Sequence, residues 1–273
     1  MIPPRTLAAV LAVSVAFAQE ASVPSGTIDR PGQIPALAVA DLKAAVTAPA
    51  AWTAPTWERV GLGALALAGL SIALDRPVDR AVRRSDLTRL DPWANRLEYL
   101  GGNGTVIIAG GAYLGGLLAN QPRVREFGAD ACLSMLVAEV TLTLPAKFLA
   151  GRSRPSEDAG PYHFKPLGGG ESFPSAHATQ AFTLAAVLSE YADRPWASVA
   201  AYTGATLVGL ARIEQRGHYV SDVVAGAAIG TLSAKAVMLR HRTLRLGAQK
   251  RVDLSLAPVW TGQQTGMLLK VKF

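Results

Sequence analysis

A histidine and an aspartate four residues apart, His218 and Asp222, carry the sharpest chemical signal in this sequence. On a helix that spacing brings both side chains to one face, so the carboxylate can hold one ring nitrogen and leave the other free to attack. This is the arrangement of a nucleophile and its orienting acid. Arg212 lies shortly before the pair and adds a fixed positive charge. An ordinary helical His/Asp pair without a catalytic role has the same spacing.

Two further polar clusters lie at the ends of apolar segments and could act with this pair. Lys147 and Arg154 stand close together with no acid between them, a grouping that suits a phosphate dianion. Ser175 is a good helix-start residue, so the amides of Ala176 and His177 are expected to point outward as anion donors. His177 could then deliver a proton beside a bound phosphate. Each cluster taken alone could equally be a solvated helix end.

Together, the three clusters resemble the motifs of the type 2 phosphatidic acid phosphatase and vanadium haloperoxidase superfamily. The family motifs K-x6-R-P, P-S-G-H and S-R-x5-H-x3-D match residues 147–155, 174–177 and 212–222 in order and spacing. Two positions depart from the pattern: Ala176 replaces the motif glycine, and Ala211 replaces the serine before the arginine. Neither change removes a catalytic side chain, but Ala176 adds a methyl group where the backbone approaches phosphate.

The resemblance implies a metal-independent phosphatase with no cofactor, which hydrolyses a phosphate monoester or diphosphate through a phosphohistidine intermediate. It implies that His218 is the nucleophile, that Asp222 orients it, and that His177 is the acid for the leaving oxygen. It also implies a set of groups that bind the phosphate oxygens. These groups are Lys147, Arg154, Ser175, the amide of Ala176, and Arg212.

Six apolar segments separate these clusters and predict helices by their length and their Ala and Leu content. If the helices alternate in direction, all three clusters fall at one end of the bundle. The predicted fold class is all-α, a six-helix bundle of the phosphatidic acid phosphatase/haloperoxidase type with a short C-terminal β-hairpin, since the last residues alternate apolar and polar. The segments are residues 60–74, 104–120, 131–146, 177–191, 196–211 and 219–239.

The chain is predicted to have four parts. Residues 1–18 have one early cation, an apolar stretch and small residues at the end, which is the layout of a signal peptide cleaved before Gln19. Residues 19–56 are rich in Ala, Pro, Ser and Gly and predict a linker or a loosely docked arm. Residues 57–242 form the phosphatase bundle, and residues 243–273 form the tail with its hairpin.

Three remaining side chains outside the motifs bear on stability and on metal binding. Cys132 is the one cysteine, which excludes an intrachain disulfide, and it lies in an apolar run that predicts a core position. His163 and His241 are expected in loops or at the surface. No cluster with convincing metal-ligand spacing accompanies them.

Composition fits a membrane-associated or tightly helical protein, and together with the export signal and the family resemblance it predicts a place in the bacterial cell envelope. Half of the residues are hydrophobic, 17% are charged and the net charge is +7, while a mean hydropathy of +0.24 is high for a soluble protein. The export signal predicts a periplasmic or membrane-associated location, with the site facing the periplasm. The bundle would be docked on the membrane, or span it behind an uncleaved N-terminal helix. The cations are not interleaved with aromatic residues, which argues against nucleic acid as a partner.

The favoured substrate is a phosphorylated lipid or prenyl phosphate, because short apolar helices would hold the cations near a headgroup. Three alternatives stay open. One is a soluble periplasmic non-specific acid phosphatase that acts on a small phosphate ester, and another is a vanadium-dependent haloperoxidase with vanadate on His218. The third is a non-enzymatic helical scaffold or transporter. A scaffold has no need for two histidines, an aspartate and three cations at one end of a bundle, which argues against this alternative.

Overall fold

The computed structural model describes residues 28–87, 89–249, 253–261 and 264–272, with side chains in residues 28–87 and 89–246. The predicted signal segment, residues 1–18 with its cleavage before Gln19, lies outside the described residues.

Seven helical rods fill the described part of the chain up to Gln249, and three of them contain a π turn. The all-helical class is thereby confirmed for the bundle, whereas the predicted count of six helices is not. The helices are α1 (Ile34–Thr47), α2 (Ala54–Leu70), α3 (Arg76–Arg84), α4 (Asp91–Tyr99), α5 (Thr105–Leu118), α6 (Pro122–Val137), α7 (Leu144–Ala150), α8 (Ala176–Tyr191), α9 (Pro195–Glu214) and α10 (Val220–Gln249). The π turns are Ser71–Asp75 between α2 and α3, Leu100–Gly104 between α4 and α5, and Ala138–Thr143 between α6 and α7.

The rods are longer than the apolar segments that predicted them. The apolar segment 60–74 was predicted to end before Asp75, but the chain stays helical there through a π turn. Pro77 falls in the first turn of α3, where a missing N–H costs little. Four rods are long and apolar enough to cross a membrane. They are Ile34–Ala51, Ala54–Arg84, Pro122–Ala150 and Val220–Leu246.

Helix α1 lies in the segment that was predicted to be a linker or loosely docked arm. Leu37 of α1 is buried in an apolar cluster with residues of α6 and α10. Beside it, the ring of His241 lies between two carboxylates, with Nδ1 2.6 Å from Asp130 and Nε2 2.8 Å from Asp41 of α1. The surface position expected for His241 is wrong, because its side chain is fully buried. The apolar contacts of Leu37 and the polar contact of Asp41 with His241 therefore dock α1 onto the bundle.

Helix α8 lies in the middle of the bundle and packs closely against α10, α9 and α6. Two glycines of α10 allow the closest approach. A Cβ at Gly226 would lie 2.4 Å from the Ser175 carbonyl oxygen, and one at Gly230 would lie 2.2 Å from that of Thr179. Small residues thus bring the start of α10 against the start of α8, where two of the three motifs lie. Cys132 packs, partly buried, against the core cluster of α6, α8 and α10.

Beyond α10, two strands pair antiparallel in a two-stranded sheet. Strand β1 (Asp253–Thr261) runs against β2 (Gln264–Lys272), with Asp253 opposite Lys272 and Thr261 opposite Gln264.

Candidate active site

The first motif spans the end of α7 and a sharp turn that separates its arginines. Helix α7 ends at Gly151, which adopts a left-handed conformation with φ 55°. A Cβ at this position would lie 1.7 Å from the carbonyl oxygen of Lys165, so glycine is required for space as well as for conformation. After this turn Arg152 is buried, whereas Arg154 stays partly exposed.

Lys147 and Arg154 meet at one residue of the loop between α7 and α8. The ammonium group of Lys147 donates to the carbonyl oxygen of Glu171. The guanidinium of Arg154 donates to the side chain of the same residue, with Nη2 2.6 Å from Oε2. Glu171 is exposed. The structure therefore brings these two predicted phosphate-binding cations together near the surface, as their spacing indicated.

The second motif forms the start of α8. Ser175 is the N-cap residue, and its Oγ accepts from the Ala178 amide at 3.4 Å. The Ser175 side chain is fully buried, so its use as a phosphate ligand stays a prediction. Ala176 is the first residue of α8 and His177 follows it in the first turn, with 30% of its side chain exposed.

His218 lies at the bottom of the site, in the turn between α9 and α10, and is buried. Its Nδ1 donates to the Ser172 carbonyl oxygen at 2.6 Å. The second ring nitrogen, Nε2, then carries the free lone pair of the neutral ring. Burial and the positive charges of Lys147, Arg212 and Arg154 hold the pKa of His218 well below its usual range. The ring is therefore uncharged at neutral pH, the state that a nucleophile needs.

The carboxylate of Asp222 does not hold the His218 ring, so that part of the prediction is wrong. Its Oδ2 accepts instead from the Ser172 hydroxyl at 2.6 Å and from the Tyr219 amide at 2.8 Å. The reason is local: α10 begins at Val220, so His218 precedes the helix, and the i, i+4 geometry assumed for the pair does not apply. Ser172 connects the two, because its hydroxyl meets Asp222 and its carbonyl meets His218.

Behind Asp222 lies a buried ion network that sequence reasoning missed. Arg152 has 1% of its side chain exposed and donates to Asp222 through Nη1 and to Asp75 through Nη2, the latter at 2.7 Å. Asp75 also accepts from the Ser221 amide at 2.9 Å. Arg152 stacks on the ring of Tyr219, with 4.4 Å from the guanidinium carbon to the centroid. Arg152 therefore supports the start of α10, and its burial keeps it away from a bound phosphate.

Arg212 lies on the other side of His218 and pairs with an unpredicted carboxylate, Glu98 of α4. The same Glu98 oxygen, Oε1, is 4.0 Å from Nε2 of His177. Burial and the nearby charge of Arg212 lower the pKa of His177 to about 4, which leaves the ring neutral at pH 7. Its protonated form, which an acid catalyst needs, therefore depends on what binds beside Arg212.

Arg216, the remaining arginine near the third motif, is held elsewhere. It pairs with Asp79 at 3.1 Å and with Asp158 at 2.6 Å. The structure thus brings together the side chains predicted from the three motifs and keeps Arg216 outside. Within the part of the chain that the structure describes, no three His, Cys, Asp or Glu side chains are grouped to hold a metal ion.

The three motifs all lie in one stretch that matches a known family, since residues 127–246 match the PAP2 superfamily. This stretch is a PAP2 superfamily domain. The family resemblance predicted from the motifs is confirmed. Two site residues, Asp75 and Glu98, precede the PAP2 domain in the chain.

The chain is also similar to a lipid A 1-phosphatase of Porphyromonas gingivalis. The two are 44% identical over 88 residues, a stretch that is 32% of this chain and 18% of the relative. The similarity therefore reaches less than a fifth of the relative's length. No solved structure matches the chain.

Proposed function

We propose that this protein is a metal-independent lipid phosphatase that transfers phosphate from a monoester or diphosphate to His218 and then to water. The observation that carries the proposal is the buried ring of His218, whose Nδ1 donates to the Ser172 carbonyl at 2.6 Å and whose charged neighbours are Lys147, Arg212 and Arg154. Phosphoryl transfer needs positioning and charge neutralisation, which fixed cations can supply.

The proposed first step is attack by Nε2 of His218 on the phosphorus atom. The N–P bond forms while the bond from phosphorus to the leaving oxygen breaks, and His177 gives that oxygen its proton. In the second step water attacks the phosphorus of the phosphohistidine. His177, now neutral, takes a proton from this water, the N–P bond breaks, and inorganic phosphate leaves with His218 restored.

The apolar rods and the named relative support a lipid substrate at a membrane. Four rods are long and apolar enough to cross a bilayer, and the similar protein of Porphyromonas gingivalis is a phosphatase of lipid A. A phosphate on an amphiphile can reach the site from the headgroup layer while its chains stay in the lipid. We propose a lipid or prenyl phosphate as the substrate. We also propose that the protein is exported to the envelope and that its site faces the periplasm.

The experiment that tests the proposal is the substitution His218→Ala in protein purified in detergent. Loss of the nucleophile is expected to lower turnover by several orders of magnitude. Brief incubation of the active protein with 32P-labelled substrate should yield an acid-labile, alkali-stable phosphoprotein that the variant does not form.

The matched control is His163→Ala, since the ring of His163 contacts Ser153 in a loop and has no role in the proposed steps. Turnover by His218→Ala equal to that of the control would overturn the mechanism. A phosphoprotein of equal yield in both variants would move the nucleophile to another residue.

A further inference from the structure

Helix α4 brings a carboxylate to the Arg212 side of the site, as Glu171 does to the Arg154 side. Glu98 makes an ion pair with Nη1 of Arg212, and the same oxygen is 4.0 Å from Nε2 of His177. It is the neighbour of two groups with different proposed tasks, one that binds phosphate and one that moves a proton. About a third of its side chain, 36%, is exposed, so it has room to move.

We infer that Glu98 is a positioning residue: it holds Arg212 before phosphate binds, releases Arg212 to the incoming phosphate, and then pairs with protonated His177. This inference rests on the proposed function. The shift it requires is small, because closing the gap from 4.0 Å to a charged hydrogen bond of about 2.8 Å needs about 1 Å.

The π turn after α4 sets the position of the His177 ring. A Cβ at Gly102 would lie 3.0 Å from Nε2 of His177 and 3.1 Å from its Cδ2. The edge of the ring that bears Nε2 therefore packs against the same rod that carries Glu98. The hydroxyl of Thr105, at the start of α5, is 3.1 Å from Oε1 of Gln180 in α8, which fixes this rod against the helix of His177.

Four charged groups around His177 determine how readily its ring takes a proton. Arg212 of α9, Lys147 of α7 and Arg154 of the following loop all disfavour a protonated ring. Glu98 of α4 favours it. A bound dianion neutralises the cations and competes with the carboxylate for Arg212, so both changes favour a proton on His177 and its pairing with Glu98.

The two tasks predict opposite effects of one substitution, Glu98→Gln. Removal of the competing charge leaves Nη1 of Arg212 with a neutral acceptor, Gln215, so orthovanadate should bind about fivefold more tightly. Removal of the partner of protonated His177 should lower kcat about tenfold for an alkyl phosphate, and much less for nitrophenyl phosphate, whose leaving group needs little protonation. The decline of kcat with rising pH should also begin at a lower pH, since the lost negative charge makes His177 harder to protonate.

The experiment compares three variants of the full chain in detergent: Glu98→Gln, Glu98→Asp and the control Glu190→Gln. Glu190 is exposed near the other end of α8, so its change removes the same charge far from the site. Calorimetric titration with orthovanadate reports anion affinity without turnover, and kcat against pH on the two esters reports proton transfer. Glu98→Asp keeps the charge and should restore part of both properties.

Tighter vanadate binding together with a lower kcat on the alkyl ester supports the inference, because a merely structural loss would weaken both. Losses in both, with a lower midpoint of thermal unfolding, would overturn it. So would behaviour equal to that of Glu190→Gln. If the proposed function fails, the unsubstituted protein hydrolyses neither ester. The vanadate titration then still decides whether Glu98 competes for Arg212.

Discussion

At the scale of single residues, the hydrogen bond from His218 has a chemical consequence for the proposed cycle. Nδ1 donates to the Ser172 carbonyl, which cannot take the proton, so the ring keeps it while Nε2 bonds to phosphorus. The phosphorylated ring is then cationic. A cationic ring leaves phosphorus as a neutral imidazole when water attacks, which is far easier than departure as an anion. The backbone acceptor therefore assists the second step as well as the orientation of the first.

His177 is predicted to matter in proportion to the basicity of the leaving oxygen. The substitution His177→Ala should lower kcat/KM for alkyl phosphates by about 10² to 10⁴, the usual contribution of a general acid. For nitrophenyl phosphate the loss should be much smaller. Measurement of both esters, with His163→Ala as the control, checks this prediction. Equal losses on the two esters would argue against proton donation by His177.

The sequence predicted which motif side chains lie near one another better than it predicted their contacts. The motifs selected His218, His177 and the cations around them because their types and spacing lie within short stretches. They did not identify Asp75, which meets Ser221 across 146 positions of chain, or Glu98. Asp75 directly follows the apolar segment 60–74, at the end of the bundle where the motifs were expected, and this position was its one available signal. Glu98 is separated from the segment 104–120 by several residues and gave no comparable signal. Which partner each would meet depends on packing between helices.

At the scale of secondary structure, the start of α10 depends on three buried charges. Arg152 stands between Asp75 and Asp222, and all three side chains have 1% exposure or less. Because removal of one partner leaves the others as uncompensated buried charges, such sites are sensitive to single substitutions. The contacts of Asp222 with Ser172 and Tyr219 extend this dependence to the turn that carries His218.

Arg152→Met is therefore predicted to destabilise the protein by about 3 to 5 kcal/mol. The midpoint of chemical denaturation in detergent measures the effect, and the matched control is Arg84→Met, at an exposed arginine that ends α3. The control should change stability by less than about 0.5 kcal/mol. A similar small change in Arg152→Met would mean that the network contributes little to folding.

The helices themselves were predictable where composition and periodicity agreed. Each of the six apolar segments coincides with a described helical rod except at residues 119, 120 and 219, which lie just outside. Their ends were missed because π turns carry the helix through residues such as Asp75 and Gly101 that usually mark a break. Helix α1 was missed because its docking depends on Asp41 and His241, which are 200 positions apart in the chain. The predicted domain boundaries stay predictions.

At the scale of the whole molecule, apolar side chains cover the outside of several rods. Leu62 and Leu65 of α2 and Ile72 of the following π turn have 66%, 70% and 70% of their surface exposed. On α9, Trp196 and Val199 have 69% and 67% exposed. Exposed apolar area of this extent marks a surface that meets another apolar phase. The polar motifs lie at the ends of the rods, where a headgroup layer would be.

The protein is accordingly predicted to stay with membranes when they are washed with alkaline carbonate, and to need detergent for release. Fractionation of bacteria that express the full chain measures this, with a soluble periplasmic enzyme as the marker for leakage. Recovery of the whole protein in the soluble periplasmic extract, with activity on water-soluble esters alone, would contradict the lipid proposal. It would favour the non-specific acid phosphatase.

The π turn Leu100–Gly104 holds one residue more than a regular α-helical turn needs. Because an i→i+5 turn absorbs its extra residue locally, the helices on either side keep nearly the orientation of one continuous rod. The glycines of this turn let the rod approach its neighbours closely, since a Cβ at Gly101 would lie 2.2 Å from Val208 and one at Gly102 would lie 3.0 Å from the His177 ring. Any side chain larger than hydrogen at these two positions would therefore push the rod outward and carry Glu98 away from Arg212.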